Sequence, residues 1–451
     1  MKKNEEIVVD IIDNGFQGEG IAKIEGMPIF IPNAIKGEKI KIKILKVLSS
    51  HAFGKIVEIL EKSEKRVEED CKTAKRCGGC SLRHMNYAST IEMKKISVEN
   101  TLSKILGRKV VVDETLKMEN PFYYRNKLQY PIGKNLEGKP IMGVYAERSH
   151  TIIETKECKI QDLLCQKIAN SIYEFIIKNK IEVYDEKTLK GSIRHIIVRI
   201  GKKTNEVMVT IVTNIAEIEK QDELVELLVS KYPEIKTIAK NINNKNTNVI
   251  LGNKTEIIYG EGYIYDFLGN KKFKISPMSF YQVNPVQTEK LYSKAVEYAE
   301  LTGTETIFDL YCGIGTIGIF ASDNVKKMYG IETIPEAIED AKENAKLNNI
   351  ENAEFFAGDV EIVLPKLILE RNLSADVTFI DPPRKGCDKV ALDTLLKVKP
   401  QKIVYVSCNP ATLARDVKIL EEKYELKKLA ICDMFGFTSH IESVAMLNLR
   451  V

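Results

Sequence analysis

The chain has 451 residues, too many for one ordinary hydrophobic core, so two to four domains are expected. Its apolar and charged fractions, 44% and 29%, are those of a folded soluble protein, and neither a run of about 18 apolar residues nor a signal-peptide pattern points to a membrane or to secretion. A net charge of +4 leaves any nucleic-acid contact to local basic faces, and nine cysteines suit a reducing cytoplasm better than a disulfide framework.

From Ile7 to Leu60 short apolar strands alternate with glycine turns, the pattern of a small all-β barrel, and residues 1–62 are taken as the first domain. In KIKIKILKV the lysines at 39, 41 and 43 share one face of a strand and the isoleucines the other. Those lysines are either the solvated face of an edge strand or a basic face for RNA. The segment resembles the TRAM domain, an RNA-binding barrel of the oligonucleotide-binding kind.

A charged linker, EKSEKRVEED, leads into CKTAKRCGGC, where Cys71, Cys77 and Cys80 are separated by five and two residues. Gly78 and Gly79 permit a tight turn around an inorganic centre. The fourth ligand is expected to be Cys158, with Cys165 as the other candidate. Four thiolates suit zinc as well as an iron-sulfur cluster, so spacing leaves both open.

An amphipathic helix is expected from Tyr87 to about Leu106, ended by Gly107. A β-rich α+β region follows, and residues 63–275 form the second expected domain. There NPFYYRNKLQYPIG and GVYAERSHTIIET read as strands carrying Arg125, Lys127, Arg148 and His150, while GSIRHIIVRIGKK and EVMVTIVTN read as a hairpin. Cations interleaved with aromatic rings suit a nucleic-acid face, where cations meet phosphate and rings stack on unpaired bases.

Residues 276–451 alternate apolar strands with helices, the pattern of a doubly wound α/β domain. In TETIFDLYCGIGTIGIFAS a strand, a glycine turn and a helix succeed one another. Gly313, Gly315 and Gly318 carry the G-x-G-x-x-G spacing, and Glu332 ends the next strand. That pattern admits NAD, FAD or S-adenosylmethionine. DVTFIDPPRKG then ends a strand in Asp381 and two prolines that stiffen an exposed loop. In YVSCNPATLARD, Cys408 stands where a strand hands over to a helix with Pro410 near its first turn, a position whose backbone N-H groups favour thiolate.

FYQVN, DLYCGIG, DPPRKG, YVSCNPATLARD and FGFTSHIESVAML, in this order, resemble the RNA uracil-5-methyltransferase family, in particular its bacterial 23S ribosomal RNA type. The resemblance implies a Rossmann-like class I methyltransferase domain, S-adenosylmethionine as cofactor, 23S rRNA as partner and a 4Fe-4S cluster on Cys71, Cys77, Cys80 and Cys158. It implies Cys408 as nucleophile, Glu442 as base, and Gln282, Tyr311, Glu332 and Asp381 as cofactor-pocket residues. Thr316 departs from the asparagine frequent in relatives. Two other readings stand beside it, a cluster-containing oxidoreductase and a non-catalytic RNA-binding factor; a cytoplasmic monomer with no membrane contact is expected.

Overall fold

The computed structural model describes residues 1–450, and none of its helices is long and apolar enough to cross a membrane. The first unit is a six-stranded sheet in the order Glu6–Asp10, Lys39–Val47, Ala52–Glu61, Met27–Ile31, Gly20–Ile24, Asp13–Asn14. Ile40, Ile42 and Ile44 are buried with Val9, Ile29 and Ile31, so the alternating strand turns its isoleucines inward as its period of two requires. The barrel read from the sequence is corrected here: the two edge strands do not pair and no ring closes. Glu6–Asp10 and Asp13–Asn14 are instead two halves of one bent segment, whose amides at Ile11 and Ile12 bond to the carbonyls of Glu38 and Ile21. Lys41 and Lys39 pair with Glu6 and Glu61, at 2.8 and 3.7 Å, which neutralises much of the basic stripe.

The second unit is a seven-stranded sheet ordered Ile152–Glu154, Pro140–Tyr145, Lys127–Lys134, Ile193–Ile200, Val207–Thr213, Ile235–Ile242, Lys254–Gly260. The expected hairpin is present, Ile193–Ile200 against Val207–Thr213, and every residue of both strands is buried. The helix Leu163–Asn179 covers it through Ile168, Ile172 and Ile176.

The third unit is an eight-stranded sheet ordered Ala353–Ala357, Lys327–Glu332, Thr306–Leu310, Val377–Ile380, Lys402–Ser407, Glu442–Leu449, Tyr424–Cys432, Glu114–Leu116. The first five strands run parallel and Glu442–Leu449 is antiparallel. Successive strands diverge on either side of Thr306–Leu310, and that switch point opens a crevice at the strands' carboxyl ends.

The helix Tyr87–Leu106 is capped by Asn86 and ends at Gly107, whose φ of 71° is the left-handed conformation a helix stop needs. Its buried Val98, Leu102 and Leu106 share a core with Leu413, Val417 and Leu420 of the helix Pro410–Leu420. Burial of each such side chain stabilises by about 1.5–3 kcal/mol, which holds this segment against the third unit. Glu114–Leu116 then adds a last parallel strand beside Tyr424–Cys432. Read in sequence with the second unit, residues 87–116 thus pack on the third.

Candidate active site

The glycine turn at the end of Thr306–Leu310 is built as its spacing demands. Gly313 and Gly315 have φ values of 55° and 80°, and a Cβ on Gly318 would lie 2.4 Å from Met328 Cε, so each glycine answers a steric need. Gly318 N donates to Asp309 Oδ2 at 2.8 Å, and Gly313 N donates to Glu332 Oε2 at 3.1 Å. A Cβ on Gly313 would meet no atom within 4 Å, so the turn opens on free space beside the Glu332 carboxylate. Tyr311, itself at φ 63°, turns its hydroxyl toward Cys387 and the Asp388 amide.

Asp381 lies one strand over, its amide bonded to Leu310 O at 3.3 Å. Burial pushes its carboxyl up to about 7. Tyr292 brings Gln282, Thr316 and Asp381 together, with its hydroxyl 3.2 Å from Thr316 Oγ1. Gln282 is placed by the strand Lys127–Lys134 region, since Asn126 Nδ2 donates to Gln282 O at 3.0 Å.

Cys408 is half-buried at the end of Lys402–Ser407, and Asn409 caps the next helix by accepting from Ala411 N at 3.0 Å. Glu442, Asp381 and Arg384 are the charged groups facing it. Burial, then Glu442 and Asp381, push the thiol up to about 11, against the pull of Arg384. The sequence-based expectation of a thiolate is therefore corrected. The helix N-terminus contributes on the order of 0.3–1 kcal/mol, and desolvation with two neighbouring carboxylates outweighs it. Glu442 opens its strand opposite Cys432 and is 6% exposed. Its burial, reinforced by Asp381, raises its carboxyl well above the ordinary range.

Sequence reasoning missed Arg384, whose place depends on contacts across the fold. Its carbonyl accepts from Asn409 Nδ2 at 3.2 Å, and the end of its loop is tied down where Asp416 Oδ2 accepts from Cys387 N at 2.8 Å and Tyr405 Oη at 2.6 Å. Arg415 orients Asp416 by donating from Nε to Oδ1 at 2.7 Å. Met278 and Phe280 stand 51% and 72% exposed just before Gln282.

Cys71, Cys77, Cys80 and Cys158 come together: burial raises Cys77, Cys80 and Cys158, the charge of Cys71 adds to each, and burial with Cys158 and Cys77 pushes Cys80 up to about 12. Cys77 Sγ accepts from Gly79 N at 3.2 Å, and Cys158 accepts from the Ile160 and Gln161 amides. Cys165 stays apart, fully buried in the first turn of Leu163–Asn179. Among the described residues, no three His, Cys, Asp or Glu side chains are arranged to hold a single metal ion.

Of the predicted basic face, Lys127 lies opposite Arg199 and beside Arg125; burial and these two cations push it down to about 8. Arg148 and His150 stand elsewhere, paired with Glu147 and Glu186 at 3.4 and 3.0 Å. A groove of about 530 Å³ lined by Leu116, Lys203, Val286 and Lys294 contains none of the reactive groups.

Comparison with known proteins fits this geometry. Residues 233–450 match the family model described as tRNA (Uracil-5-)-methyltransferase, and residues 2–57 match that of the TRAM domain. An uncharacterized RNA methyltransferase of Clostridium acetobutylicum is 47% identical over 99% of this chain and 98% of its own. The chain belongs to the RNA uracil-5-methyltransferase family. A second such relative, from Halalkalibacterium halodurans, is 46% identical over all of this chain and 98% of its own. Among solved structures, Pyrococcus abyssi tRNA (uracil-54, C5)-methyltransferase in complex with S-adenosyl-L-homocysteine is 28% identical, with a TM-score of 0.79 over 98% of this chain and 100% of that one. This uracil-5-methyltransferase family member is thus an S-adenosylmethionine-dependent RNA methyltransferase with an amino-terminal TRAM domain.

Proposed function

We propose that this enzyme methylates carbon 5 of a uridine in 23S rRNA through a covalent bond between Cys408 and the uracil ring. The observation that carries the covalent reading is the meeting of Cys408, Glu442, Asp381 and Arg384 at the crevice beside the glycine turn. Carbon 5 of uracil is too weak a nucleophile to take a methyl group unaided. Cys408 first loses its Sγ proton to solvent; the thiolate then adds to carbon 6, the carbon 5–carbon 6 π pair moves onto carbon 5 and its neighbouring carbonyl, and Arg384 offers a cation beside that developing negative charge. S-adenosylmethionine, when bound, supplies the electrophilic methyl; Gln282, Tyr311, Glu332 and Asp381 are the residues assigned to hold it. Glu442 then removes the proton left on carbon 5, the electron pair re-forms the ring double bond, and Cys408 leaves as thiolate. A carboxyl raised by burial is a stronger base once ionised, which suits that step.

The uridine must leave its stack to reach Cys408, at a cost of about a few kcal/mol. Exposed Phe280 offers a ring for a neighbouring base, and Arg125 and Lys127 offer cations for phosphate. Cys71, Cys77, Cys80 and Cys158 lie near one another, and it is the motif resemblance, not their spacing, that favours a 4Fe-4S cluster over zinc. Cys71, Cys77, Cys80 and Cys158 would hold it in a structural role, because the methyl transfer needs no electron.

A tRNA uridine is the second reading, favoured by the full-length likeness to the Pyrococcus tRNA enzyme. That likeness also removes the amino-terminal domain as a discriminator, leaving the motif resemblance to support rRNA. Nucleoside mass spectrometry of unmodified 23S rRNA and tRNA, each incubated with anaerobically purified enzyme and S-adenosylmethionine, separates them. New 5-methyluridine in 23S rRNA alone supports the proposal; 5-methyluridine in tRNA alone replaces it with the second reading.

A further inference from the structure

The segment 433–441, which delivers Glu442 to the crevice, is held from outside its own sheet at two places. At its start, Asp433 is fully buried, accepting from Lys94 Nζ at 2.5 Å and from Tyr87 Oη at 2.8 Å, and Lys94 also donates to Phe435 O at 3.1 Å. In its middle the holding groups come from the residues that follow Cys80. Leu82 N donates to Phe437 O at 2.9 Å, and Ser439 N donates to Ser81 Oγ at 3.2 Å. The Arg83 guanidinium lies 4.2 Å from the Phe437 ring centre and 4.9 Å from that of Phe122. Phe437 itself is held at φ 61°, a conformation an aromatic residue keeps only when its surroundings impose it.

Arg83 also closes the cysteine loop. Its Nε and Nη2 donate to Asp70 Oδ1 and Oδ2, both at 2.8 Å, so one guanidinium joins the residue before Cys71 to a residue just beyond Cys80. It is 4% exposed and rests in the small core where Cys80 and Cys158 pack against Met118, Tyr124 and Phe437. The side chain that shuts the thiol loop is therefore the same one that stacks on the segment leading to Glu442.

We infer that Arg83 and Ser81 are positioning residues through which the four-cysteine site sets the placement of Glu442. This rests on the assignment of Glu442 as the base. Loosening the clamp leaves the addition by Cys408 in place and slows the later proton removal, because Cys408 is fixed by a different strand and helix. A misplacement of about 1 Å is enough to slow such a step on the order of tenfold to a hundredfold.

The test compares Arg83→Met, Arg83→Lys, Ser81→Ala and Glu442→Gln in anaerobically purified enzyme, following covalent RNA-protein adduct on denaturing gels and hydrogen exchange of residues 434–441. The expected result is that Glu442→Gln and Arg83→Met both accumulate adduct, that Arg83→Lys restores part of the turnover, and that Arg83→Met and iron-stripped wild-type enzyme both lose protection across 434–441. Ser81→Ala, on an exposed side chain, provides the same comparison should Arg83→Met fold poorly. Adduct in Glu442→Gln with wild-type turnover and protection in both Arg83→Met and Ser81→Ala overturns the inference alone. Absence of adduct in Glu442→Gln overturns the base assignment and this inference with it.

Discussion

Glu442 faces Cys408 across the crevice, and its charge is one of the two that push the thiol up to about 11. Burial, reinforced by Asp381, raises the Glu442 carboxyl as well, against the pull of Arg384. The thiol must therefore lose its proton to solvent before it adds to carbon 6. Alkylation of Cys408 by iodoacetamide, read at its own tryptic peptide across pH, should show a midpoint above the value of about 8.5 usual for a free cysteine. Glu442→Gln removes a raising charge and should move the midpoint down; Arg384→Met removes the opposing cation and should move it up. An unshifted midpoint in both variants would mean these charges do not act on the thiol.

Cys408→Ala should abolish methyl transfer, a loss on the order of a thousandfold or more, while S-adenosylmethionine binding stays within about threefold of wild type. Single-turnover assays with labelled methyl groups and calorimetric titration check the two halves separately. Retained turnover would exclude Cys408 as nucleophile.

Glu442→Gln should carry out addition and methylation yet fail to release the product. A slow-migrating covalent RNA band that carries labelled methyl is the expected outcome on a denaturing gel. Continued turnover with no such band assigns the proton removal to another group, with Asp381, which acts on both Cys408 and Glu442 and is pushed up to about 7 by burial, the first candidate.

Local signals carried most of what the sequence revealed. Asn86 and Gly107 bound the helix Tyr87–Leu106 because caps are written in adjacent residues, and Pro410 marked the start of the helix after Cys408 for the same reason. Contacts between distant segments were not legible. Glu114–Leu116 pairs with Ala430–Cys432, and the Arg384 loop is fastened to Asn409 and Asp416; no spacing rule reaches across either gap. Closure of the first sheet failed as an expectation because strand count and glycine turns do not fix which edges pair. The state of Cys408 was misjudged because its two carboxylate neighbours enter from separate strands.

Asp309 couples the glycine turn to stability. It is fully buried, and burial with its neighbours Asp381 and Glu332 raises its carboxyl from 3.8 to about 7, although the Gly318 amide pulls the other way. A folded-state pKa above the unfolded one means the folded protein binds that proton more tightly. Its contribution is thus fully present below about 3.8 and is lost as pH rises toward about 7, beyond which the buried carboxylate is a cost. Asp309→Asn keeps an acceptor for Gly318 N and removes the charge. Urea unfolding should show it stabilised by about 2–4 kcal/mol at pH ~8 and nearly unchanged at pH ~4. Equal effects at both pH values would tie the change to packing instead.

The four-cysteine site makes a prediction that separates Cys158 from Cys165, the two candidates the spacing left open. Cys158 shares its surroundings with Cys71, Cys77 and Cys80 and accepts two backbone N-H bonds, from Ile160 and Gln161, of the kind that stabilise a ligating thiolate. Cys165 is sealed in the core with Ile168 and Ile172, and burial raises its thiol well above the usual range. Anaerobic wild-type enzyme should be brown, with about four irons per chain, if the 4Fe-4S reading holds. Cys158→Ser should lose most of that iron, whereas Cys165→Ser should keep it and lose only about 1 kcal/mol of stability, the cost of a hydroxyl in an apolar pocket. Iron retained in Cys158→Ser and lost in Cys165→Ser would reverse the assignment; stoichiometric zinc in the wild type would replace the cluster altogether.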